Sequence, residues 1–457
     1  MATTKQNSYD AIIVGAGPGG VMCALSCARA GLRALLVEAN PEATFGHTCV
    51  TEVERSAFEE VDVPEPKGEE VAFTQKGVRV LSPRGKHAFS FEGHPMHAVK
   101  LDWLVRRLLG YARDEGVETL FGTTVQAPVL DGERVIGVDV RDGGGNSRRI
   151  EAKITVDATG YNASLIRRMP PECGIDFSDR DSDCVLAEAR LYDIDRTEAE
   201  IAVADGLLKP DYFHHQIGVQ GSFSTLSYLV SLEKEHAFVL TGVKADNAPP
   251  GPEEQVAHLE KRFPLFKTVT YRGTKPIRLR RASLRLVCDG FAAVGEAAGM
   301  VIPAHGSGVA SGLLSGHNLG LHLGALVRAD KDMSTANLWP WCARYQRNRG
   351  AILASYDANR RLVETLDPER EINVLVESGV MQPEDMQRTL VCKSLNVDPA
   401  SIPRRLPGIL RHPLIAGSFI AQLPKVMKVE KHWRKYPLEW NHEAFSAWKK
   451  TAEKLLP

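Results

Sequence analysis

The stretch Tyr9-Asp-Ala-Ile-Ile-Val-Gly-Ala-Gly-Pro-Gly-Gly-Val21 runs from a short apolar strand through a glycine-rich turn into a helix. Gly15 permits the tight turn, Gly17 lets a phosphate approach the backbone, and Gly20 lets the helix pack closely on the sheet. The helix N-terminus offers free N–H groups to phosphates. A second apolar strand ends at Glu38, whose carboxylate can accept hydrogen bonds from a ribose. These parts, in this order, predict a Rossmann-type dinucleotide site.

The composition is that of a globular protein with two or three domains. Apolar residues make up 43% of the 457 residues and charged residues 25%. The formal net charge of −1 argues against a general attraction to nucleic acid. The eight cysteines show no CxxC and no paired His/Cys spacing, which favours reduced thiols over disulfides or a zinc site. A polar N-terminus without a signal peptide, and no apolar run of about 20 residues, predict a cytoplasmic protein.

Hydrophobic periodicity divides the chain into strands and helices. Alternating patterns predict strands over 117–125, 135–140 and 150–156 and within 182–245. Helical periodicity is found over 18–30, 101–113 and 252–263 and over most of the chain after about residue 325. Residues 40–95 are rich in charge, Pro and Gly, which suggests an excursion away from the main sheet.

A second motif, Thr155-Val-Asp-Ala-Thr-Gly-Tyr-Asn-Ala-Ser-Leu-Ile-Arg167, takes a strand into a turn with Asp157 and Gly160 and then into a helix start. Such a turn can pack beside the first glycine turn and close it. Taken alone, it is equally consistent with an ordinary strand–helix connection.

The third motif spans residues 288–309. A strand over 291–294 ends at Gly295-Glu296, and the loop Gly306-Ser-Gly308 then starts a long helix of small residues. The N-terminus of that helix would offer N–H groups to an electron-rich ligand edge such as that of a reduced flavin. Glu296 would form hydrogen bonds with the ribityl chain of that flavin. The alternative is a small-residue helix packed tightly on a sheet.

The three motifs, about 140 residues apart each time, together resemble the FAD-dependent oxidoreductases of the p-hydroxybenzoate-hydroxylase-like fold. Within that group the chain is most similar to the geranylgeranyl reductase and FixC-like branch, over roughly residues 8–325. The resemblance implies an α/β chain, α+β overall, with a Rossmann-type FAD-binding domain, an inserted antiparallel-sheet substrate domain and a helical C-terminal region. The implied boundaries are 1–55, 95–167 and 280–330 for the discontinuous FAD-binding domain, 56–94 and 168–279 for the substrate domain, and 331–457 for the helical region.

The resemblance also implies the residues that hold FAD non-covalently. Lys100 and Glu296 depart from the Arg and Asp that the family usually has there. The implied cofactor-binding residues are Gly15, Gly17, Pro18, Gly19, Gly20, Glu38, Ala39, Lys100, Val125, Asp157, Gly160, Gly295, Glu296, Pro303, Gly306, Gly308 and Val309.

Two residues are candidates for chemistry on the substrate. Cys49, followed by Glu52, loosely matches a Cys and acidic pair that the reductase branch carries near the flavin; the alternative is a packed structural thiol. His305 can stand over the flavin and donate a proton, or be an ordinary loop histidine. His214-His215 is predicted to lie on a strand with the two rings on opposite faces, so no metal site is expected.

Missing motifs narrow the reaction. Without a second GxGxxG unit or a CxxC, electrons would come from transiently bound NAD(P)H or from a ferredoxin-like protein. The halogenase signature Trp-x-Trp-x-x-Pro begins at Trp339-Pro-Trp341 but has Arg344 in place of its proline. The Tyr-x-Trp-x-Phe-Pro pattern typical of geranylgeranyl reductases is not evident either, which leaves the substrate open.

The C-terminal part carries a basic segment around the apolar run 413–423, followed by Trp433, Tyr436 and Trp440. This composition suits the inner face of an anionic bilayer, to which the protein would bind peripherally. The alternative is a helix of the C-terminal region with a solvated basic rim. Against a single acid, Glu430, the segment has eight cations: Arg404, Arg405, Arg411, Lys425, Lys428, Lys431, Arg434 and Lys435.

The leading hypothesis is an FAD-dependent oxidoreductase that acts on carbon–carbon double bonds of a hydrophobic, isoprenoid or lipid-like substrate by hydride transfer at flavin N5. The second hypothesis is a flavin monooxygenase that hydroxylates or epoxidises a hydrophobic or aromatic molecule. The third is a flavin electron-transfer protein without a small-molecule substrate.

Overall fold

A computed structural model describes residues 9–177, 180–219, 224–245, 251–396 and 398–457. The N-terminal segment 1–8, in which no signal peptide is predicted, lies outside the described residues. So do residues 220–223 within the predicted β region 182–245.

Eighteen strands occur in the described residues, and most coincide with the predicted β segments. In chain order they are β1 (Tyr9–Val14), β2 (Ala34–Val37), β3 (Val50–Glu54), β4 (Val71–Phe73), β5 (Gly77–Leu81), β6 (Ala88–Glu92), β7 (Met96–Lys100), β8 (Glu118–Leu120), β9 (Thr123–Asp131), β10 (Arg134–Asp142), β11 (Ser147–Asp157), β12 (Cys184–Ile194), β13 (Tyr212–Ile217), β14 (Ser224–Ser231), β15 (His236–Lys244), β16 (Phe266–Arg278), β17 (Val287–Cys288) and β18 (Phe291–Ala293).

Thirteen α-helices occur in the same residues, and the region after β18 is helical as predicted. They are α1 (Pro18–Arg29), α2 (Ser56–Glu60), α3 (Leu101–Asp114), α4 (Arg196–Ala204), α5 (Pro252–Arg262), α6 (Val309–Arg328), α7 (Thr335–Tyr345), α8 (Ala351–Val363), α9 (Asn373–Glu377), α10 (Pro383–Leu390), α11 (Ile402–Arg411), α12 (Pro413–Trp433) and α13 (His442–Leu455).

The first sheet carries the glycine turn and has the parallel core of a Rossmann-type domain. Its strand order is β17-β18-β11-β1-β2-β8, and β1 is parallel to both of its neighbours. β9 and β10 extend it as an antiparallel hairpin on β11. Its strands come from three separate stretches of chain, which confirms the predicted α/β class with a Rossmann-type sheet.

A second, mainly antiparallel sheet of seven strands has the order β16-β12-β15-β14-β13-β5-β6. β5 and β6 come from the charged excursion and join the sheet through a parallel pairing of β5 with β13. β3, β7 and β4 form a separate three-stranded sheet. The inserted antiparallel sheet is therefore confirmed, while the domain boundaries stay a prediction.

Two local predictions were wrong. The strand expected over 117–125 is two strands, because Gly122 adopts the left-handed φ of +61° and breaks it between β8 and β9. No α-helix starts after β11: Ala163 is also left-handed (φ +43°), and the Asp157 carboxylate accepts hydrogen bonds from the backbone N–H groups of Leu165 and Ile166. Only short 3-10 turns follow there.

The small residues of α6 are explained by its contact with α1. A Cβ added at Gly316 would lie 2.2 Å from the Gly19 carbonyl oxygen, and one at Gly320 would lie 2.6 Å from Ser26 Cβ. Gly312, Gly316, Gly320 and Gly324 recur every four residues and so lie along one face of α6. The expected tight packing is present, but against a helix.

The aromatic residues at the end of α12 and just after it pack against the core. Trp433 and Tyr436 are buried, and Trp440 is half-buried. Tyr436 stacks on Trp339, at 5.2 Å between ring centroids, and Trp440 lies at 4.6 Å from the same ring. Trp433 and Tyr436 are therefore not available as interfacial anchors, since the segment after α12 and helix α13 pack onto α7. In the part of the chain that the structure describes, no helix is long and apolar enough to span a bilayer.

Candidate active site

One cavity of about 1220 Å³ extends from the glycine turn to the C-terminal helices. It begins where the carboxyl ends of β1, β2, β11 and β18 meet, the edge at which open α/β sheets bind ligands. Most of the predicted cofactor-binding residues line it: Gly15, Gly17, Pro18, Gly19, Glu38, Ala39, Val125, Gly160, Gly295, Glu296, Pro303, Gly306, Gly308 and Val309.

The glycine turn is shaped by three different constraints. Gly15 has φ +102°, and a Cβ there would lie 2.5 Å from the Ala158 carbonyl oxygen. A Cβ at Gly20 would lie 1.9 Å from the Gly15 carbonyl oxygen. At Gly17, by contrast, no atom lies within 4 Å of the Cβ position, so the backbone there faces open space. A phosphate can therefore approach the start of α1.

Glu38 holds the neighbouring loops in place at the end of β2. Its carboxylate accepts hydrogen bonds from the Ala16 N–H (2.8 Å) and from the backbone N–H (2.9 Å) and side-chain amide (2.8 Å) of Asn40. A carboxylate has about four acceptor positions, so one remains for a ribose hydroxyl.

The second and third motifs meet at Glu296. Its Oε2 lies 2.9 Å from Lys275 Nζ, and a Cβ at Gly160 would lie 3.7 Å from the same oxygen. The other oxygen, Oε1, is buried and accepts no hydrogen bond from the described residues. A buried acceptor without a donor is costly, and it faces the cavity where a hydroxyl-bearing ligand would satisfy it.

Three predicted cofactor residues do not line the cavity. Gly20 acts through the close packing described above. Asp157 is fully buried, and its carboxylate accepts hydrogen bonds from the backbone N–H (2.9 Å) and the hydroxyl (2.7 Å) of Thr159. It also accepts hydrogen bonds from the backbone N–H groups of Leu165 and Ile166. Lys100 Nζ lies 3.2 Å from Glu69 Oε2 and over the ring of Trp103.

The cavity fits FAD on these observations. It offers an open backbone at Gly17 for a pyrophosphate, an acceptor at Glu38 for a ribose, an unsatisfied acceptor at Glu296 for a polyol, and the N-terminus of α6 at Gly308 and Val309. Each feature comes from a different motif, and all four border one space.

Cys49 and Glu52 line the cavity beside α6. Burial raises the pKa of the Cys49 thiol to about 11, so the sulfur is protonated at neutral pH. Burial also raises the pKa of Glu52 to about 7. The Glu52 Oε1 accepts a hydrogen bond from Gln75 Nε2 (2.7 Å) and lies 3.3 Å from Nε2 of the buried His94.

Two histidines also line the cavity. Burial lowers the pKa of His305 to about 4 and that of His215 to about 3, so both rings are neutral at pH 7. His215 Nδ1 is 2.8 Å from Ser227 Oγ, whereas His214 points to the other face of β13 and stacks on Tyr228. This opposition agrees with the strand geometry that the sequence predicted.

The sequence interpretation missed Lys275 and His215 as lining residues, whereas it had placed the Cys49 and Glu52 pair near the flavin. Lys275 belongs to β16, 21 positions before the Glu296 that it pairs with, and no local motif marks it. Only the alternation of the strand, which places Gly273, Lys275 and Ile277 on one face towards the cavity, offered a signal.

Comparisons with known proteins point to a flavin-dependent enzyme. The family model for FAD dependent oxidoreductases matches residues 10–169. The chain is 25% identical to the digeranylgeranylglycerophospholipid reductase of Sulfolobus acidocaldarius, over 99% of this chain and 98% of that protein.

Solved structures share the fold. A geranylgeranyl bacteriochlorophyll reductase-like protein from Thermoplasma acidophilum superposes with a TM-score of 0.75 at 17% identity, covering 91% of this chain and 99% of the other. The flavin-dependent brominase Bmp2 gives a TM-score of 0.65 at 17% identity, covering 92% and 100%. The chain shares the fold of these flavin enzymes and is similar over nearly its whole length to a digeranylgeranylglycerophospholipid reductase, and the match of residues 10–169 indicates an FAD-dependent oxidoreductase.

Proposed function

We propose that the protein reduces carbon–carbon double bonds of a long, hydrophobic, isoprenoid-type lipid. The observation that carries this proposal is the size and lining of the cavity that begins at the glycine turn. Pockets for one drug-sized ligand are about 300–1,000 Å³, and this one is about 1220 Å³. Its volume supports a second ligand beside the cofactor.

The part of the cavity away from the glycine turn has mainly apolar walls, with charged side chains such as Arg360, Glu364 and Asp385 among them. They combine the inserted sheet with the C-terminal helices, and their residues include Ile217, Phe238, Leu240, Ile277, Leu279, Val363, Leu366, Ile372, Leu375 and Phe419. Burial of a hydrocarbon chain in such a space is favourable, because apolar surface leaves water and no polar group of the chain has to be desolvated. The similarity to a digeranylgeranylglycerophospholipid reductase points to the same class of substrate.

Bound FAD, once reduced, supplies a hydride from its N5 atom. The residues of this chain would place that cofactor and the double bond next to each other. Gly17 and Glu38 would bind its adenosine diphosphate end, Glu296 its ribityl chain, and the N-terminus of α6 its ring. The apolar walls would exclude water, and so limit competing reactions of the bound lipid.

Reduction of a double bond also needs a proton, and Glu52 is the group best suited to hold it. With its pKa raised to about 7, the Glu52 carboxyl keeps a proton in the range where an ordinary glutamate has lost it. His305, whose pKa is lowered to about 4, is already neutral there and is the weaker acid source. Cys49, with its protonated thiol, would line the same region as a small, weakly polar contact.

The source of electrons is proposed to be transiently bound NAD(P)H or a small ferredoxin-like protein. No second GxGxxG unit occurs in the sequence, which supports a donor without a dedicated domain. The protein is proposed to act in the cytoplasm, at the inner face of the membrane.

The test is anaerobic turnover by the purified holoenzyme. FAD is reduced with dithionite, a tetraprenyl lipid is added, and both flavin reoxidation and product mass are followed. We expect reoxidation that depends on the lipid, with a gain of two hydrogens per double bond. Reoxidation that needs oxygen, with an oxygen atom in the product, would establish a monooxygenase instead. Reoxidation by a protein acceptor alone would identify an electron-transfer protein.

A further inference from the structure

Helix α11 exposes its apolar side and buries its polar side. Ile402, Leu406 and Leu410 are spaced four residues apart, so they form one stripe, and they are 50%, 47% and 69% exposed. The buried residues of the same helix are Arg405 and Gly408. A helix of a globular protein ordinarily turns its apolar stripe towards the core. The orientation of α11 is the reverse.

This orientation is held by an ion pair between the buried Arg405 and the half-buried Asp385. The Arg405 guanidinium donates to both carboxylate oxygens of Asp385, at 2.7 and 2.8 Å, and also to the Val380 carbonyl oxygen (2.6 Å) and Ser401 Oγ (2.9 Å). Rotating α11 to bury the stripe would break the three hydrogen bonds to Val380 and Asp385 and leave both charges unpaired. The stripe is therefore a fixed outer surface.

The apolar surface continues onto α12. Leu414, at its first turn, is 86% exposed, and Ile420 and Met427 follow at 38% and 50%. Six of the fourteen large apolar side chains that are exposed in the described residues fall between Ile402 and Met427. Exposed apolar patches on this pattern mark contacts with proteins or membranes.

The cavity of the candidate active site opens at this surface. Ile402 and Ile420 are exposed and also line the cavity, together with Ile409 and Leu423 of the same two helices. A side chain that borders both the cavity and the solvent lies at the mouth. One mouth of the cavity is thus between α11 and α12, next to the stripe.

The charges around the mouth are positive. Arg411, Lys425, Lys428 and Lys431 are exposed, and within the described residues no carboxylate forms an ion pair with any of them. The one acid of the segment, Glu430, is buried and bound to Arg434 and Ser394. A second copy of the chain, docked through a twofold axis, would set these cations against each other. Anionic lipid headgroups would neutralise them while the leucines enter the acyl boundary.

We propose that the α11–α12 surface docks on an anionic lipid bilayer with the mouth of the cavity facing the lipid. This surface comprises Ile402, Leu406, Leu410, Leu414, Ile420 and Met427 with Arg411, Lys425, Lys428 and Lys431. Docking rests on the exposed stripe and the cations alone. Delivery of a lipid substrate through the mouth rests in addition on the proposed function.

Vesicle binding by the FAD-loaded protein tests the docking. The bound fraction is measured by flotation, once with phosphatidylcholine vesicles and once with vesicles in which about one third of the lipid is phosphatidylglycerol. We expect the double variant Leu406→Ser/Leu410→Ser to lower the partition coefficient on the anionic vesicles at least tenfold, about 1.4 kcal/mol. Leu321→Ser, at a 46% exposed leucine of α6, is the matched control and should bind as the unchanged protein does.

The charge contribution is tested separately. Lys425→Gln/Lys428→Gln should weaken the preference for anionic vesicles, and Lys450→Gln/Lys454→Gln on α13 should leave it intact. Equal binding by the serine double variant and its control would overturn the proposal. Light scattering without vesicles gives a second check. If the unchanged protein and the control are dimers and the serine double variant is a monomer, the surface is a self-association face and the proposal is overturned.

A further measurement separates docking from the proposed function. Leu406 and Leu410 do not line the cavity, so the serine double variant should reduce a short, water-dispersed prenyl substrate at the same rate as the unchanged protein and lose only turnover of vesicle-embedded lipid. If no prenyl substrate is reduced but vesicle binding follows the expected pattern, docking stands and the proposed function fails. If the double variant turns over embedded lipid normally, delivery through this mouth is refuted.

Discussion

The three glycines of the first turn are equivalent in a motif but not in space. Gly15 and Gly20 have backbone oxygens within 2.5 Å of a Cβ position, whereas Gly17 has none within 4 Å. The first two are therefore required by the fold, and Gly17 is required only by a ligand that approaches its backbone.

This difference predicts that Gly17→Val folds normally and loses FAD. The added side chain enters the open space of the cavity, where it blocks the pyrophosphate without clashing with the protein. Far-ultraviolet circular dichroism and the released flavin measure the two effects, and we expect an unchanged fold with FAD affinity reduced at least 100-fold, about 2.7 kcal/mol. Gly20→Val is the comparison and should fail to fold. A Gly17→Val protein that retains FAD would refute the assignment of the pyrophosphate.

Glu52 predicts a characteristic pH dependence of activity. Because its carboxyl holds a proton up to a pKa of about 7, lipid reduction should fall as pH rises through 7. Glu52→Gln should lower the rate of reduction by about 10²–10⁴ at pH 6 and remove this dependence. Glu69→Gln, at an exposed carboxylate, serves as the control. A full rate in Glu52→Gln would exclude Glu52 as the proton source.

The same shift predicts a pH dependence of stability. The native state has Glu52 with a raised pKa, so between about pH 4.5 and 7 it binds more protons than the unfolded chain, and stability falls as pH rises through that window. The loss is on the order of 3 kcal/mol for a shift of this size. Denaturant unfolding of the unchanged protein and of Glu52→Gln should agree at pH 4 and differ at pH 8, with the variant the more stable. Parallel curves at both pH values would contradict the shift.

Helices α1 and α6 pack closely because glycines without side chains lie at their contact. Their contact sets the N-terminus of α6 against the first glycine turn, since Gly312 and Gly19 approach with Cβ positions only 3.2–3.5 Å from the partner's backbone. The small residues of α6 thus combine a packing function with the positioning of the candidate active site.

Gly316→Ala should destabilise the protein strongly. Its Cβ would lie 2.2 Å from the Gly19 carbonyl oxygen, so the helices must separate, at a cost of about 1–3 kcal/mol or more. Gly110→Ala in α3, where no atom lies near the Cβ position, should instead stabilise by about 0.5–1 kcal/mol. Chemical unfolding of both variants gives the comparison. A loss of stability in Gly110→Ala equal to that in Gly316→Ala would show that the close contact is not the cause.

FAD binding should stabilise the native state against unfolding, because the predicted FAD contacts join residues 15–38 to residues 295–309 and exist only in the folded chain. Adding FAD at 100 times its dissociation constant stabilises the native state by about 2.7 kcal/mol, provided the unfolded chain does not bind it. Titration of the apoprotein with FAD, followed by thermal unfolding, measures this effect. FMN, which lacks the adenosine that Glu38 is placed to bind, should raise the melting temperature less at equal concentration. Equal effects of both would remove Glu38 from the site.

The glycine turn, the parallel strands and the helical C-terminal region could be predicted from sequence because each depends on local geometry. A tight turn needs glycine within a few residues, and amphipathic periods show within one element. The order of the three motifs then indicated a flavin site, and the structure brings the three together around one cavity.

The pairings between distant elements could not be predicted. Lys275 meets Glu296, and Glu52 meets Gln75 and His94, only after parts of the chain that are 21 to 42 residues apart have folded together. Burial decides the protonation of Glu52 and His305, and burial is a property of the assembled core.

The basic C-terminal segment shows most clearly which properties follow from composition and which follow from packing. Its cations and apolar residues are legible in the sequence, and on that basis Arg405 and Trp433 looked like parts of one surface. Packing buries both, Arg405 on Asp385 and Trp433 against Trp448, while Leu406, Leu410 and Leu414 stay outside. Composition limits which contacts a helix can make, but which side it turns outward is settled by the ion pairs and ring contacts available on the rest of the fold.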